Sequence, residues 1–352
     1  MFTVGIRSGV RILAGQRASV VLIAMLLVVP VLIAIGTVAD GTWTLPAPGK
    51  GLSQHYGFWA LFATGPTMVI LTRRLLARFR TFIGSPDEYT VQDASAEVRQ
   101  QLARLAARHV RSLSLDSRSI GLLGFVVFAY LAWWLINVAA TWSPERVYGH
   151  DVFDAGAHPW GYYLTRGYLL LVFCGVYAPA TFTILHVTFS LVTVLRFVTT
   201  RDVLAVDFFH RDNCAGTSRF GNLNLLVLGL YAHWYSVIFA MYLTHGRAYA
   251  VMVISLLSCS LLAVGQSTLA VRYIYQAVSA KRLALLTIVA KRLNHAFADS
   301  MQSGCALPNE LLSVRNHLIA VHAFPYAGRA RVAVNLLRFA PAAMALFGLF
   351  RG

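Results

Sequence analysis

Long apolar runs alternate with short polar and basic stretches along the whole chain. The runs cover residues 18–39, 56–72, 119–141, 162–197, 223–243, 248–271 and 332–350. Each reaches or approaches the roughly 18 apolar residues that argue for a helix crossing a bilayer. The pattern therefore predicts an all-α fold, a polytopic membrane helix bundle with about seven transmembrane helices, which forms a single membrane domain over residues 1–352.

Two of the runs continue in helical rhythm beyond the length that a bilayer requires. The run at 162–197 corresponds to about 54 Å of helix, whereas the bilayer core is only about 30 Å thick. After the run at 248–271, apolar residues recur near one helix face as far as Met301, and no strong helix breaker intervenes. We therefore expect cytoplasmic extensions of the helices around 190–205 and 272–301.

Three segments between the runs are predicted to be cytoplasmic and helical, namely 73–118, 198–222 and 272–331. The first contains apolar residues at helical spacing, with arginines on the other faces of the helix; these apolar-face positions are Val98, Leu102, Leu105, His109 and Leu113. This pattern predicts an amphipathic helix. Such a helix suits either the surface of an anionic leaflet or packing against other cytoplasmic helices.

The basic residues are distributed unequally between the two sides of the predicted membrane. Of 30 lysines and arginines, 24 are assigned to the predicted cytoplasmic side, namely those before the first run, those in the three predicted cytoplasmic segments and Arg196 at the end of the fourth run, and five fall on the other side. The positive-inside rule then places the amino terminus inside and the carboxyl terminus outside. The same rule explains the net charge of +16, so we expect the lipid bilayer, and no nucleic acid, as a partner.

Composition agrees with a membrane protein. The chain is 57% hydrophobic and 12% charged, whereas soluble domains are about 25% charged. No aspartate, glutamate or lysine lies within the predicted spans, which argues against a carboxylate-driven proton or sodium carrier and against a retinal protein. No phosphate-binding loop, nucleophile elbow or H-E-x-x-H motif is present, so the sequence favours a function other than catalysis.

The segment between the fourth and fifth runs holds the densest group of chemically capable side chains. His210, Asp212 and Cys214 alternate, and in extended backbone they would project from one face. They would then offer nitrogen, oxygen and sulfur ligands to a zinc-type metal, with His295 or Cys305 completing the shell.

A structural role explains the same segment equally well. Asp212 and Asn213 would cap the helix that follows, and Gly216 would supply a backbone angle that other residues rarely adopt. Both alternatives remain open from the sequence.

The ionisable candidates within the predicted spans are His233, Arg338 and His186. His233 is near the middle of the fifth, where it either has a functional role or is hydrogen-bonded between helices. Arg338 is six residues into the seventh. It either extends its charge to the inner leaflet or lines a water-filled path that favours anions.

Three short motifs resemble a group of uncharacterised bacterial multi-pass inner-membrane proteins. The element His210-x-Asp212-x-Cys-x-Gly216 is similar to their H-P-D-x-x-G-G-L-G segment, although Arg211 stands in place of the proline and the second glycine is missing. Phe324-Pro325-Tyr326 resembles their W-P-F triplet, and Gly57-Phe58-Trp59-Ala-Leu-Phe62 also fits. The resemblance implies a bacterial inner (plasma) membrane location with a cytoplasmic amino terminus. It implies no activity.

Two functions follow from these observations. The first is a channel-like or sensory and transport helix bundle, which forms a homo-oligomer through its cytoplasmic helices and has Arg338 near the conduction path. The alternative is a membrane-embedded metalloenzyme or metal-handling protein that uses His210, Asp212 and Cys214. The absence of recognisable catalytic motifs favours the first.

Overall fold

Helices make up all of the regular secondary structure in the described part of the chain. The computed structural model describes residues 16–45, 51–113, 164, 167–169, 171–245, 250–303, 309–326 and 329–351. Within these ranges there is no strand, and a single isolated bridge joins Thr90 to Leu204. We number the described helices α1 (Gln16–Ala39), α2 (Tyr56–Gly84), α3 (Ala96–Leu113), α4 (Ala178–Thr200), α5 (Ser218–His245), α6 (Ala250–Ser303), α7 (Asn309–Ala320) and α8 (Arg329–Arg351).

Three of the described helical stretches are long and apolar enough to cross a membrane. They are Ser19–Ala39, Gly175–Thr200 and Ser218–Ala240. A helix with apolar side chains on every face is stable in lipid because all its backbone hydrogen bonds are internal. The all-helical fold is therefore confirmed, and the three candidate spans are consistent with a membrane protein. The count of seven spans and their orientation stay predictions, and the predicted span at 119–141 lies outside the described residues.

The helices at 56–84 and 250–303 run well past the predicted spans. α2 has 29 residues and continues through the arginines that follow residue 72. α6 has 54 residues and includes nearly all of the predicted span at 248–271 and all of the extension at 272–301. No proline interrupts it, so its length is about 81 Å at 1.5 Å per residue.

The three predicted cytoplasmic segments meet at one end of the bundle. The bridge between Thr90 and Leu204 joins the turn after α2 to the turn after α4. Arg219, at the start of α5, pairs with Glu88. Lys281 of α6 donates a hydrogen bond to the Leu204 carbonyl at 2.9 Å. The carboxyl ends of α2 and α4, the start of α5 and the middle of α6 therefore lie at the same level.

The amphipathic helix α3 packs against the bundle. Leu102, Ala106 and His109 are buried, and they face α4 and α2. The arginines of α3 that the structure describes, Arg99, Arg104 and Arg108, are exposed. Of the two sequence alternatives, the structure thus shows packing against neighbouring helices, since the apolar face of α3 is covered by the chain itself.

A close backbone contact fixes the start of α5 against the turn before α8. A Cβ atom at Gly221 would overlap the carbonyl oxygen of Pro325, so only glycine fits there. One turn later, the buried Asn224 side chain donates a hydrogen bond to the Tyr326 hydroxyl. The His322 N–H also donates to the Asn213 carbonyl at 3.0 Å, so two of the three motifs that carry the resemblance, the 210–216 segment and the 324–326 triplet, lie close together.

Replacing Gly221 should test this contact. Gly221→Ala places a methyl group on a rigid carbonyl, so we expect the variant to be destabilised, by about 1–3 kcal/mol. Gly229→Ala, two turns later in the same helix, is the matched control because nothing lies within 4 Å of its Cβ position. The control should be neutral or slightly stabilising, since alanine has the higher helix propensity. Thermal unfolding of both purified variants measures the difference, and equal midpoints would contradict the contact.

Candidate functional site: a polar seam between helices

A row of polar side chains lies between the apolar helices α4, α5, α6 and α8. We refer to Thr188, Tyr231, Gln266, Ser267 and Arg338 as the polar seam. The Gln266 side-chain oxygen accepts hydrogen bonds from Tyr231 (2.9 Å) and Thr188 (3.3 Å). One residue of α6 therefore joins side chains of α5 and α4.

Arg338 is the only charged member of the polar seam. Its Nε–H donates to the Ser267 hydroxyl at 2.7 Å, and that hydroxyl donates to the Val264 carbonyl at 3.1 Å. The arginine is half-buried, and Ser267 is buried. Among the described residues, the ion pairs join Arg219 to Glu88, Lys281 to Asp202 and His210 to Asp212, and none of them involves Arg338. In this part of the chain its guanidinium therefore has neutral hydrogen-bond partners and no carboxylate.

Pro341 determines how α8 is held at the level of Arg338. Proline has no N–H, so the carbonyl of Leu337, four residues earlier, receives no hydrogen bond from within the helix. The Tyr235 hydroxyl of α5 donates to that carbonyl at 3.3 Å. Ser260 of α6 donates to the next carbonyl, that of Arg338, at 3.2 Å. Two side chains thus fix the backbone from which the arginine projects.

Tyr326 provides a second polar group near the charge of Arg338. Burial raises the pKa of the Tyr326 hydroxyl to about 12, against the opposing effects of the Asn224 hydrogen bond and the Arg338 charge. The hydroxyl consequently keeps its proton at neutral pH. Tyr326 therefore brings no negative charge to the surroundings of Arg338.

His233 forms a hydrogen-bonded connection between two helices. Its Nδ1 lies 2.8 Å from the Gly229 carbonyl, to which it donates, and its Nε2 lies 2.9 Å from the Thr67 hydroxyl. The histidine belongs to α5 and Thr67 belongs to α2. The structure thus shows the interhelical hydrogen bond that was one of the two sequence alternatives, and His233 makes no described hydrogen bond to the polar seam.

The segment after α4 is organised by the carboxylate of Asp212. One of its oxygens accepts the backbone N–H groups of Cys214 (2.9 Å) and Gly216 (3.1 Å), and the other accepts that of Ser218 (3.2 Å). Burial alone would raise the pKa of Asp212, but these hydrogen bonds outweigh it and lower the pKa to about 2.

The backbone of the same segment is left-handed at three of its turn positions. Asn213, Ala215 and Gly216 have φ values of 52°, 55° and 78°. Only glycine adopts such angles without cost. The Asp212 carboxylate and its three N–H donors therefore hold a strained turn at the start of α5, which is the structural role that the sequence left open.

The three proposed metal ligands differ in exposure and in protonation. The Asp212 carboxylate lies 3.1 Å from Nδ1 of His210, whose side chain is 51% exposed. Cys214 is buried, and burial together with Asp212 raises the pKa of its thiol to about 11, although zinc binds the thiolate. In the described ranges no three His, Cys, Asp or Glu side chains are grouped closely enough to hold a metal ion. Cys305 lies outside those ranges, and the metal site stays a prediction.

A second buried polar cluster joins α3 to α4. Ser190 Oγ lies 2.9 Å from His109 Nδ1 and 3.3 Å from His186 Nε2, and His186 donates to the His109 carbonyl at 3.2 Å. All three residues are buried. Burial, followed by the nearby His186 and Arg108, lowers the pKa of His109 to about 4. The cluster is therefore a contact between neutral groups.

Sequence reasoning found Arg338 but missed its partners. Gln266 and Ser267 are uncharged, so a search for ionisable groups in the spans passes over them. The signal that was available is the polar pair Gln266-Ser267 inside an otherwise apolar run. The Ser190 cluster gave no such signal, because its two histidines are far apart in the sequence and Ser190 is an ordinary residue of a buried helix.

The role of the Asp212 carboxylate is testable against the metal alternative. We expect Asp212→Ala to lower the free energy of unfolding by about 1–3 kcal/mol, because buried N–H groups lose their acceptor. His210→Ala, at an exposed position, should change it by less than about 0.5 kcal/mol. Thermal unfolding and elemental analysis of purified protein measure both properties. Stoichiometric zinc that is lost in His210→Ala or Cys214→Ser would instead establish the metal site.

The histidine cluster predicts a pH dependence of stability. The unfolded chain binds a proton at His109 near pH 6.5, whereas the native protein binds it only near pH 4. Stability should therefore be complete above pH 7 and should decrease as the pH falls from about 6.5 to about 4. We expect His109→Gln to flatten this dependence and His295→Gln, at an exposed position of α6, to leave it unchanged. Unfolding midpoints at pH 7.5, 6 and 5 measure the effect, and identical profiles for all three proteins would contradict it.

The chain was also compared with known proteins. No protein-family model, no curated protein and no solved structure matches it. The resemblance to the bacterial inner-membrane group therefore rests on the short motifs alone. Any function has to be argued from the side chains of this chain and their arrangement.

Proposed function

We propose that the protein is a channel-like membrane helix bundle in which Arg338 binds a small anion on its way through the polar seam. One observation supports this most directly. Arg338 is half-buried between apolar helices, and it has no carboxylate partner among the described residues. A charge in that position is costly in a membrane and by default indicates a functional site.

The proposed topology has seven spans, with the amino terminus in the cytoplasm of a bacterium and the protein in its inner membrane. The three predicted cytoplasmic segments carry 20 of the 30 lysines and arginines. Their described parts meet at one end of the bundle through Lys281, Arg219 and the bridge at Thr90. A bundle with such a basic end inserts with that end facing the cytoplasm.

The hydrogen-bonding capacity of Arg338 favours an anion as its missing partner. A guanidinium has five N–H donors, and Ser267 accepts from one of them. Thr188 and Tyr231 donate to the Gln266 side-chain oxygen, Ser267 donates to the Val264 carbonyl, and none of these groups carries a negative charge. A solvent anion would supply the charge and would accept the remaining donors.

The charge count also limits the anion class. A single arginine, without a second basic side chain in the seam, neutralises one negative charge. We therefore propose a monovalent inorganic anion such as chloride or nitrate. The surrounding helices exclude water and strengthen the attraction.

Anion flux into liposomes tests the proposal. Reconstituted protein should pass chloride or nitrate, and Arg338→Ala should reduce the flux by about tenfold or more, which corresponds to only about 1.4 kcal/mol of lost binding. Arg338→Lys should retain part of the flux, because it keeps the charge and loses the planar donor fork.

The matched control is Arg331→Ala. Arg331 lies seven residues earlier in the same helix, where it is exposed and lies over the Phe324 ring. This variant should conduct as the wild type does. Silent liposomes that contain folded wild-type protein, or equal flux in Arg338→Ala, would refute the proposal.

A further inference from the structure

The second half of α6 extends beyond the level at which the other long helices end. Lys281 contacts Asp202 (3.2 Å) and the Leu204 carbonyl, both of which follow the last residue of α4. The helix then continues without interruption to Ser303. These 22 residues correspond to about 33 Å of helix outside the candidate spans.

One face of this distal part is covered by the chain itself. Val289 is buried, and Leu286 and Leu293 are partly buried. α7 packs against this side of α6, and Arg282 donates to the Val321 carbonyl at 3.1 Å, just after α7 ends.

A second face of the distal part is apolar and exposed. The relevant residues repeat at intervals of seven, seven and four, and we name them the distal stripe: Leu283, Ala290, Phe297 and Met301. Leu283 is 67% exposed, Phe297 53% and Met301 76%. At 100° per residue the four lie within about 40° of one another around the helix.

Charges avoid the distal stripe. Thr287 and Asn294, which lie beside it on the same face, are uncharged. The charged residues Lys291, Arg292 and Asp299 are on a third face, together with His295 and the exposed Ile288. A helix surrounded by water gains nothing from such segregation. A helix that meets another apolar surface along the stripe does, because the contact then buries no charge.

The bilayer is poorly placed to cover the stripe. α6 is one unbroken helix, and its earlier part lies alongside α4 and α5 through Gln266. If those helices cross the membrane, Phe297 lies about 24 Å further along the axis than Lys281. The stripe then projects into water, away from the leaflet.

We propose that the distal stripe is an interface between copies of this chain, in which the α6 helices associate side by side and in parallel. Copies in one membrane share their orientation, so cyclic symmetry about the membrane normal places the same residue of each copy at the same distance from the bilayer. Leu283 then meets Leu283, and Phe297 meets Phe297. The seven-residue spacing of Leu283, Ala290 and Phe297 is that of one position in the heptad repeat of a coiled coil.

This interface assigns the predicted homo-oligomer contact to one helix face. It rests on the membrane insertion in the proposed function and is independent of anion conduction. The absence of charge on the face also matters, because a chain with a net charge of +16 repels its own copies elsewhere on its surface.

Charged substitutions in the stripe test the proposal. Wild-type protein, extracted with its lipid into polymer-bounded nanodiscs, should have a mass of two or more chains. Leu283→Glu with Phe297→Glu should reduce the mass to one chain, because like charges would meet at equal heights. Ile288→Glu is the matched control, since this exposed residue (49%) lies outside the stripe, and its mass should equal that of the wild type. Unfolding midpoints of both variants show whether either is misfolded.

Cross-linking in membranes provides an independent measurement. Ala290→Cys should form a disulfide-linked dimer under mild oxidation, whereas Ala284→Cys, on the charged side of α6, should not. A monomeric wild-type mass, or equal cross-linking at both positions, would overturn the proposal. So would quenching of Phe297→Trp fluorescence by brominated lipids, because the stripe would then face the bilayer. If the stripe variant loses its oligomers but still conducts anions, the proposed function holds and does not depend on this interface. If the protein forms oligomers but conducts no anions, the proposed function is wrong and the interface is unaffected.

Discussion

A polar group buried between apolar helices has no water to bind, so it needs a partner on a neighbouring helix. This constraint explains the interior contacts described above. Gln266 accepts hydrogen bonds from hydroxyls of α4 and α5, and Tyr235 donates to the Leu337 carbonyl that Pro341 leaves without a partner in its own helix. His233 forms a hydrogen bond between α5 and α2. Each contact is worth about 1 kcal/mol. Together they determine which helices are neighbours, which apolar packing alone specifies less strongly.

Arg338 satisfies this need for a partner least completely, because its charge has no balancing group among the described residues, and this suggests a functional role. Ser267 accepts one of its N–H groups, but a hydroxyl carries no charge to balance the guanidinium. A structural arginine would be stabilised by an acidic partner or would lie at the protein surface. A site for a mobile anion requires the opposite, since a permanent carboxylate would compete with the anion. The incomplete neutralisation of Arg338 among the described residues is thus a property that selection for anion binding would produce.

The end of the bundle opposite the α1–α2 connection is held by backbone contacts. Asp212 holds a turn with left-handed residues, and Gly221 admits the Pro325 carbonyl against α5. The distal part of α6 extends from this packed end, and of the described helices α7 packs against it there. Its covered face and its exposed stripe differ because only one side has a partner within the described chain. The contrast between a rigid base and an uncovered helix face suits a site of assembly.

The sequence alone determined the helical class, the unbroken course of α6 and the amphipathic α3, because these depend on local periodicity. It also drew attention to Arg338 through the cost of a charge in lipid. It could not show that the Asp212 carboxylate accepts three backbone N–H groups in the turn before α5, and it missed Gln266, Ser267 and the Ser190 cluster. Those features depend on which helix faces meet, and a residue such as Ser190 carries no sign of a partner 81 positions away. Only the tertiary structure decided them, because hydrogen bonds between helices are set by packing and not by the pattern within each helix.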